Sequence, residues 1–432
     1  MKPSANARRN CEPALPRYRR ALSIAQGSKT YGRLFFLMAF LFSCFLFWWL
    51  PSVLFRFIVH IPDPVNNATI VLSIAGLALF IAGFHLPMPY RTVLEDTPTI
   101  TRACGDVAYK ATVFLFPAAL MAALYVMHTQ SQTIYGSASP IPRPCQALFY
   151  THLFFGFAYF GAAEPRRDGW QKVAWTTAMV TLPRLIVSLH GGRFFLAQAI
   201  IPALLIAIAR GWIRFSIKRT AQLTALVLAI VFVPPLTRGD AIFGQGDMVR
   251  FFAAGSSLRL FQDNQNLDLS DYCDPLLVSL TAKLIPWNLI GACVLDDYAG
   301  LQHMPATLDR ILTVNDPASF DGTTGGTGSN FLLELFLFGG LPALLLGSLF
   351  FGFSCSRFWV WLARPSLFAG IWAECLTRAL FAPRNDLSYV YERIPSLCVA
   401  TWVLISAVTA MRFIYLGYAT PAGPLERAGG AA

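Results

Sequence analysis

Charge is what this sequence has least of. Asp, Glu, Lys and Arg together make up 13% of its 432 residues, where an ordinary soluble domain carries roughly 25%. A chain so poor in charge cannot cover a water-facing surface, which excludes a soluble globular protein. The nine cysteines lack metal-ligand spacing, so a zinc or cluster site built on them is excluded as well. No nucleic-acid-binding motif and no internal repeat is present, and residues 237–328 contain no glutamate at all.

What the sequence has instead is apolar length. Hydrophobic residues reach 55% and the mean hydropathy is +0.52. Runs of about 17–25 apolar residues, enough to cross a ~30 Å hydrocarbon core, recur along almost the whole chain. The expected fold is all-α, a polytopic transmembrane helix bundle of about ten spans. These fall near 34–58, 69–86, 107–127, 147–163, 172–189, 194–209, 220–236, 329–354, 366–383 and 396–416. The organisation is then a basic tail (1–33), seven helices (34–236), one long loop (237–328), three helices (329–416) and a short tail (417–432).

The net charge of +11 reads as a topology signal, because short cytoplasmic segments collect Lys and Arg. The N-terminal tail holds Lys2, Arg8, Arg9, Arg17, Arg19, Arg20, Lys29 and Arg33. The short segments expected on the opposite side hold only Arg143, Arg193, Arg384 and Arg393. Both termini are therefore expected in the cytoplasm, with the basic residues meeting anionic head groups rather than nucleic acid. The tail before Leu34 is too long, and the apolar run after it too extended, for a cleaved secretory signal. Cys145, Cys273 and Cys293 alone would be exported, where a disulfide persists. A Cys273–Cys293 bridge and two unpaired thiols both remain open.

The long loop, on the exported side by this pattern, holds eleven aspartates and five Lys/Arg, so it is acidic where the tails are basic. Its clusters "VRFFAAGSSLRLF" and "DPLLVSLTAKLIPWNLIGACVL" supply surface to bury and argue against disorder. The second cluster, 276–295, is nearly long enough to cross, and would raise the count to eleven or twelve spans. Lys283 and Pro286 in its middle favour a helix lying against the membrane, since a central charge costs about 2.5–3.5 kcal/mol on insertion.

Within that scheme "TLPRLIVSLHGGRFFLAQAIIP" (181–202) is unusual, because it carries Arg184, His190 and Arg193 in sequence otherwise suited to lipid. Arg184 falls about 7 Å below the outer end of its helix, Arg193 begins the next, and Arg378 lies at similar depth with Arg384 following in "RALFAPRND". Snorkelling to head groups explains Arg193 and Arg384 equally well taken singly, and Glu374 stands one turn before Arg378 in a pairing register. Arg184 is hardest to dismiss, since intramembrane ionisable residues face a bundle interior or wet cavity and mark function. Four guanidinium groups in one leaflet suit a lipid-linked phosphate or diphosphate, whose oxygens match their planar fork of donors.

The "LHGGRFFLAQAIIP" turn, the long loop, "GTGSNFLLELFLFGGLPALLLGSLFFG" and "FAPRNDLSYV" resemble the O-antigen polymerase and ligase superfamily, particularly the Wzy-type repeat-unit polymerases, over roughly residues 180–400. The resemblance implies a glycosyltransferase of the bacterial inner membrane that joins undecaprenyl-diphosphate-linked glycans on the periplasmic side. No metal or other cofactor is implied; the partners are the lipid-linked glycans, membrane lipid and, as an option, a chain-length regulator protein. It implies diphosphate contacts for Arg193 and Arg384; Arg184 and Arg378 enter by depth alone, and Arg184 and Arg193 also stabilise the leaving charge. The base that takes the hydroxyl proton is open among His303, Asp321, His190 and Glu334. The ligase branch has a histidine before Asn where this chain has Ser329-Asn330, which favours polymerase over ligase.

Two other classes compete. A transporter or flippase of lipid-linked oligosaccharide would show inverted repeats, broken helices and a site near the midplane, against charge gathered near one face here. A transferase using polyprenyl-monophosphate sugars would carry acidic residues in a large first outer loop, and here that loop is "HIPDPVNNAT". The topology has a direct check: a reporter enzyme active only outside the cytoplasm should be active fused after Gly300 and inactive fused after Arg364. The opposite pattern would reverse the map.

Overall fold

The computed structural model describes residues 32–50, 65–86, 99–129, 142–190, 194–213, 257–264, 330–384, 387–391 and 393–419. All elements among them are helical, with no strand. They are α1 (Gly32–Trp49), α2 (Asn67–His85), α3 (Thr99–Thr129), α4 (Arg143–Ala162), α5 (Trp170–His190), α6 (Phe194–Ala209), α7 (Ser257–Asn264), α8 (Phe331–Leu362), α9 (Ala369–Ala379), α10 (Leu387–Tyr391) and α11 (Ile394–Ala419). Five of the described helices are long and apolar enough to cross a membrane: α1, α2, α3, the Gly339–Leu362 part of α8, and α11. The expected helix at 220–236, most of the 237–328 loop including 276–295, and Cys273 and Cys293 lie outside the described residues.

Lipid-facing and core-facing surfaces separate by side chain. Phe114, Met121, Trp402, Val403 and Phe413 stand exposed on α3 and α11, as a surface solvated by hydrocarbon requires. Inside, Phe36, Phe40, Phe80, Phe84, Phe331 and Phe351 form one aromatic core shared by α1, α2 and α8, with the Phe40 and Phe80 rings stacked 4.0 Å apart. Lipid tails are as apolar as leucine, so such packing and close backbone approach must hold the helices together. Gly83 and Gly352 provide that approach between α2 and α8. A Cβ on Gly352 would strike the Phe80 carbonyl, and one on Gly83 the Leu349 carbonyl.

The span expected at 329–354 is not one straight helix. Twenty residues of helix would separate Phe331 from Phe351 by about 30 Å, yet their ring centroids are 5.2 Å apart. The backbone leaves helical geometry at Gly339 and Gly340, the latter at φ +63°, a left-handed conformation that glycine adopts without Cβ strain. Residues 331–338 thus fold back against 341–362, and Leu335 lies beside Gly347. Asn330 caps the returning arm, accepting from the Leu332 N–H at 2.9 Å.

At one end of the bundle, arginines close the helix C-termini. Arg210 donates to the carbonyls of Phe160 (3.1 Å), Gly161 (2.7 Å), Ala163 (3.3 Å), Leu362 (3.4 Å) and Arg364 (2.9 Å). One guanidinium thereby satisfies the last orphan carbonyls of α4 and α8 and meets both negative dipole ends. Arg33 does the same for α2, donating to the Phe84 carbonyl and, at 2.7 Å, to Ser356 Oγ. These two arginines, expected to meet lipid head groups, are instead turned inward as caps.

At the other end α7, a piece of the long loop, covers the start of α2. Gln262 Oε1 accepts from the Asn66 N–H at 2.6 Å, and Phe261 meets Phe336 edge to face at 5.5 Å. Substituting Gly352→Val should lower the thermal midpoint of the detergent-solubilised protein, by an overpacking penalty of about 1–3 kcal/mol. An unchanged midpoint would show that α2 and α8 can separate without cost.

Candidate functional site

Helix α9 is the most enclosed element, with ten of its eleven residues buried, and it packs on α4, α6, α8 and α11. At 11 residues it is only about 16 Å long, shorter than a ~30 Å hydrocarbon core. A short 3-10 turn, Ala382–Arg384, and then α10 follow, and the Trp48 Nε1–H donates to the Pro383 carbonyl at 2.8 Å. The helix with least access to solvent nevertheless carries Glu374 and Arg378.

Those two residues form an ion pair at 2.9 Å, with Arg378 1% exposed. The pair extends into a network across four helices. Glu374 Oε1 also accepts from Gln198 Nε2 on α6 at 3.4 Å. Gln198 Oε1 accepts from Arg184 on α5 at 3.2 Å. Arg184, 2% exposed, donates its other terminal nitrogen to the Phe149 carbonyl on α4 at 3.1 Å. The amide of Gln198 has one sensible orientation, oxygen to the guanidinium and nitrogen to the carboxylate, because a flip would create two repulsions. It links the two arginines through a carboxylate that neither holds alone.

Among the described residues Arg184 has no carboxylate in contact: both acceptors are neutral, and the Tyr150 ring lies 5.8 Å from its guanidinium carbon. Tyr150 receives a second cation on its face, Arg393 at 3.8 Å. Among the described residues the cluster thus holds Arg184, Arg378 and Arg393 together with the carboxylate of Glu374. Two polar atoms of the neighbourhood are buried without partners, Glu374 Oε2 and His152 Nε2. His152 hydrogen-bonds the Thr112 backbone in the stretch of α3 that Pro117 interrupts, which accounts for one of its ring nitrogens.

Of the residues singled out in the sequence, Arg184 and Arg378 are brought into one network. Glu334, in the first turn of α8, accepts from the Leu387 N–H and so ties the returning arm to α10. Arg384 belongs to the 3-10 turn and His190 ends α5, but their side chains, and Arg193, His303 and Asp321 altogether, lie outside the described residues. Gln198 and Tyr150 escaped the sequence reading. Gln198 had a signal: it is the one polar side chain in "FFLAQAIIPALLIAIA", and an amide in hydrocarbon needs a partner on another helix. Tyr150 had none, since its role exists only once two guanidiniums approach its ring.

Geometrically, the network can hold an anion near Arg184 and orient it, because the guanidinium is fixed by two acceptors while keeping donors to spare. No family model, no curated protein and no solved structure matches this chain. Glu374→Ala should destabilise the folded protein by about 3–5 kcal/mol, by leaving Arg378 buried without its partner. The double variant Glu374→Ala/Arg378→Ala should recover part of that loss in a thermal unfolding cycle, and strictly additive effects would count against the pairing.

Proposed function

We propose that this chain is a membrane-embedded glycosyltransferase that polymerises undecaprenyl-diphosphate-linked oligosaccharide repeat units, acting on the periplasmic side of a bacterial inner membrane. The observation that carries the reading is Arg184, a guanidinium buried among apolar helices whose hydrogen-bond acceptors among the described residues are neutral. A charge so placed is costly, and such residues line substrate paths or pair with ligand charge. A lipid-linked diphosphate is an anion delivered from within the membrane itself, and its oxygens suit the fork of donors that arginine presents.

In this reading the ten-span arrangement holds, with both termini cytoplasmic and the long loop periplasmic. An acceptor sugar hydroxyl attacks the anomeric carbon of the donor glycan, and the bond from that carbon to the diphosphate oxygen breaks. The leaving diphosphate takes the electron pair, and Arg184, joined by Arg193, Arg378 and Arg384, stabilises the growing charge. Tyr150 and Gln198 set the direction of the Arg184 guanidinium. The proton of the attacking hydroxyl passes to a base among His303, Asp321, His190 and Glu334. Asn330 is engaged as a helix cap, in keeping with a polymerase rather than a ligase.

One observation favours a second reading, transport of the same lipid-linked glycan. The fold-back at Gly339–Gly340 is a discontinuous helix, a device that transporters use to place helix ends at a substrate. Chain lengthening separates the two. Purified protein in detergent should convert lipid-linked repeat units into longer glycans and release undecaprenyl diphosphate, whereas unchanged substrate beside flipping in vesicles would favour transport. Arg184→Ala and Arg193→Ala should each abolish lengthening in protein that still folds, and Arg184→Lys should restore it only in part, because lysine keeps the charge and loses the fork. Wild-type chain length in both alanine variants would remove these arginines from the mechanism.

A further inference from the structure

A second polar site sits at the opposite end of the bundle, beside the arginine caps. Where α3 and α4 cross, Gly105 lies close against Ala162, and a cavity of about 10 Å³ opens next to the crossing. Its lining includes Arg102 and Asp106 from α3, Tyr159 from α4, and Glu164 and Asp168 from the turn leading to α5. Tyr159 is 3% exposed, and its hydroxyl has no hydrogen-bond partner. The Nε of Arg102 is likewise buried without one. Lys172 lies over the ring of Tyr109 at 5.1 Å, and that ring is 5.3 Å from Tyr159. A buried phenol without a partner costs free energy, as the group has been taken from water with nothing in return.

The level of this cavity is marked by tryptophan. Trp170, Trp175 and Trp361 stand exposed and Trp212 packs edge to face on Trp170, near the ends of α5, α6 and α8. Such rings collect at the head-group level of a bilayer. The cavity therefore faces phospholipid head groups, and its lining offers both carboxylates and the Arg102 guanidinium. Among the described residues no three His, Cys, Asp or Glu side chains gather closely enough to hold a metal ion. A primary ammonium has no such demand, since it makes three separate, directed hydrogen bonds. A volume of about one water molecule admits an ammonium and refuses the three methyl groups of choline.

We propose that this cavity binds the head group of an amino-phospholipid such as phosphatidylethanolamine. Its ammonium makes its three hydrogen bonds to the Tyr159 oxygen and to the Asp106 and Asp168 carboxylates, and its phosphate is met by Arg102. The site is independent of the arginine network and of the activity proposed for it.

The experiment is lipid retention by the full-length protein, exchanged in detergent against equal amounts of phosphatidylethanolamine, phosphatidylcholine and phosphatidylglycerol and read by native mass spectrometry. Phosphatidylethanolamine should be retained over phosphatidylcholine by about tenfold, the worth of one charged hydrogen bond. Tyr159→Phe and Asp106→Asn should each bring that ratio toward one. Tyr159→Phe should also leave the thermal midpoint of lipid-free protein unchanged or higher, since it deletes only an unpaired hydroxyl, so loss of lipid preference cannot be mistaken for misfolding. Soluble phosphoethanolamine should displace the bound lipid where phosphocholine does not. Equal retention of the two zwitterionic lipids, equal retention of phosphatidylglycerol, or a preference that survives both substitutions would overturn the proposal.

Discussion

A guanidinium inside an apolar bundle has to find its partners within the protein, and this requirement organises the molecule. Hydrocarbon offers no water to complete a broken hydrogen bond, so each buried cation needs an acceptor on its own helix or on another. Arg184 draws on Phe149 and Gln198, Arg378 on Glu374, and Gln198 joins the two pairs. Four helices are held in register by a chain of five groups, and α9, which supplies the carboxylate, lies where α4, α6, α8 and α11 can all reach it.

The same rule acts differently at the two levels. In the interior the described residues gather Arg184, Arg378 and Arg393 with the Glu374 carboxylate, and the Tyr150 ring is shared between two of the arginines. At the end of the bundle Arg33 and Arg210 meet backbone carbonyls, whose partial negative charge is permanent and whose number is fixed by the helix ends. Those caps draw on acceptors that the protein itself supplies. The interior network is the part that the proposed function assigns to an anionic lipid carrier.

Close packing follows from the same lack of water. With no hydrophobic drive between helices inside a bilayer, α2 and α8 depend on backbone approach at Gly83 and Gly352 and on the ring stack around Phe40. The returning arm of α8 fills the space above that stack with Phe331 and is tied to α10 through Glu334. An acidic side chain in this arm thus serves as an anchor for a short helix that also packs on α9.

Hydropathy and length located the helices, because crossing a bilayer is a local demand met by about twenty consecutive residues. The expected helix bounds 69–86 and 194–209 agree closely with Asn67–His85 and Phe194–Ala209, the first long enough to cross a membrane and the second a shorter apolar helix. The sequence also marked Arg184 and Arg378, since charge in an apolar run is conspicuous wherever it points. It did not reveal that "FLLELFLFGGLPALLL" turns back on itself, because the hydropathy of a folded-back arm equals that of a straight one and only the φ of Gly340 tells them apart. Nor did it reveal that Gln198 bridges the arginines or that Tyr150 lies between two cations. Those facts belong to pairs of residues on different helices, and no property of a single segment contains the distance between two of them.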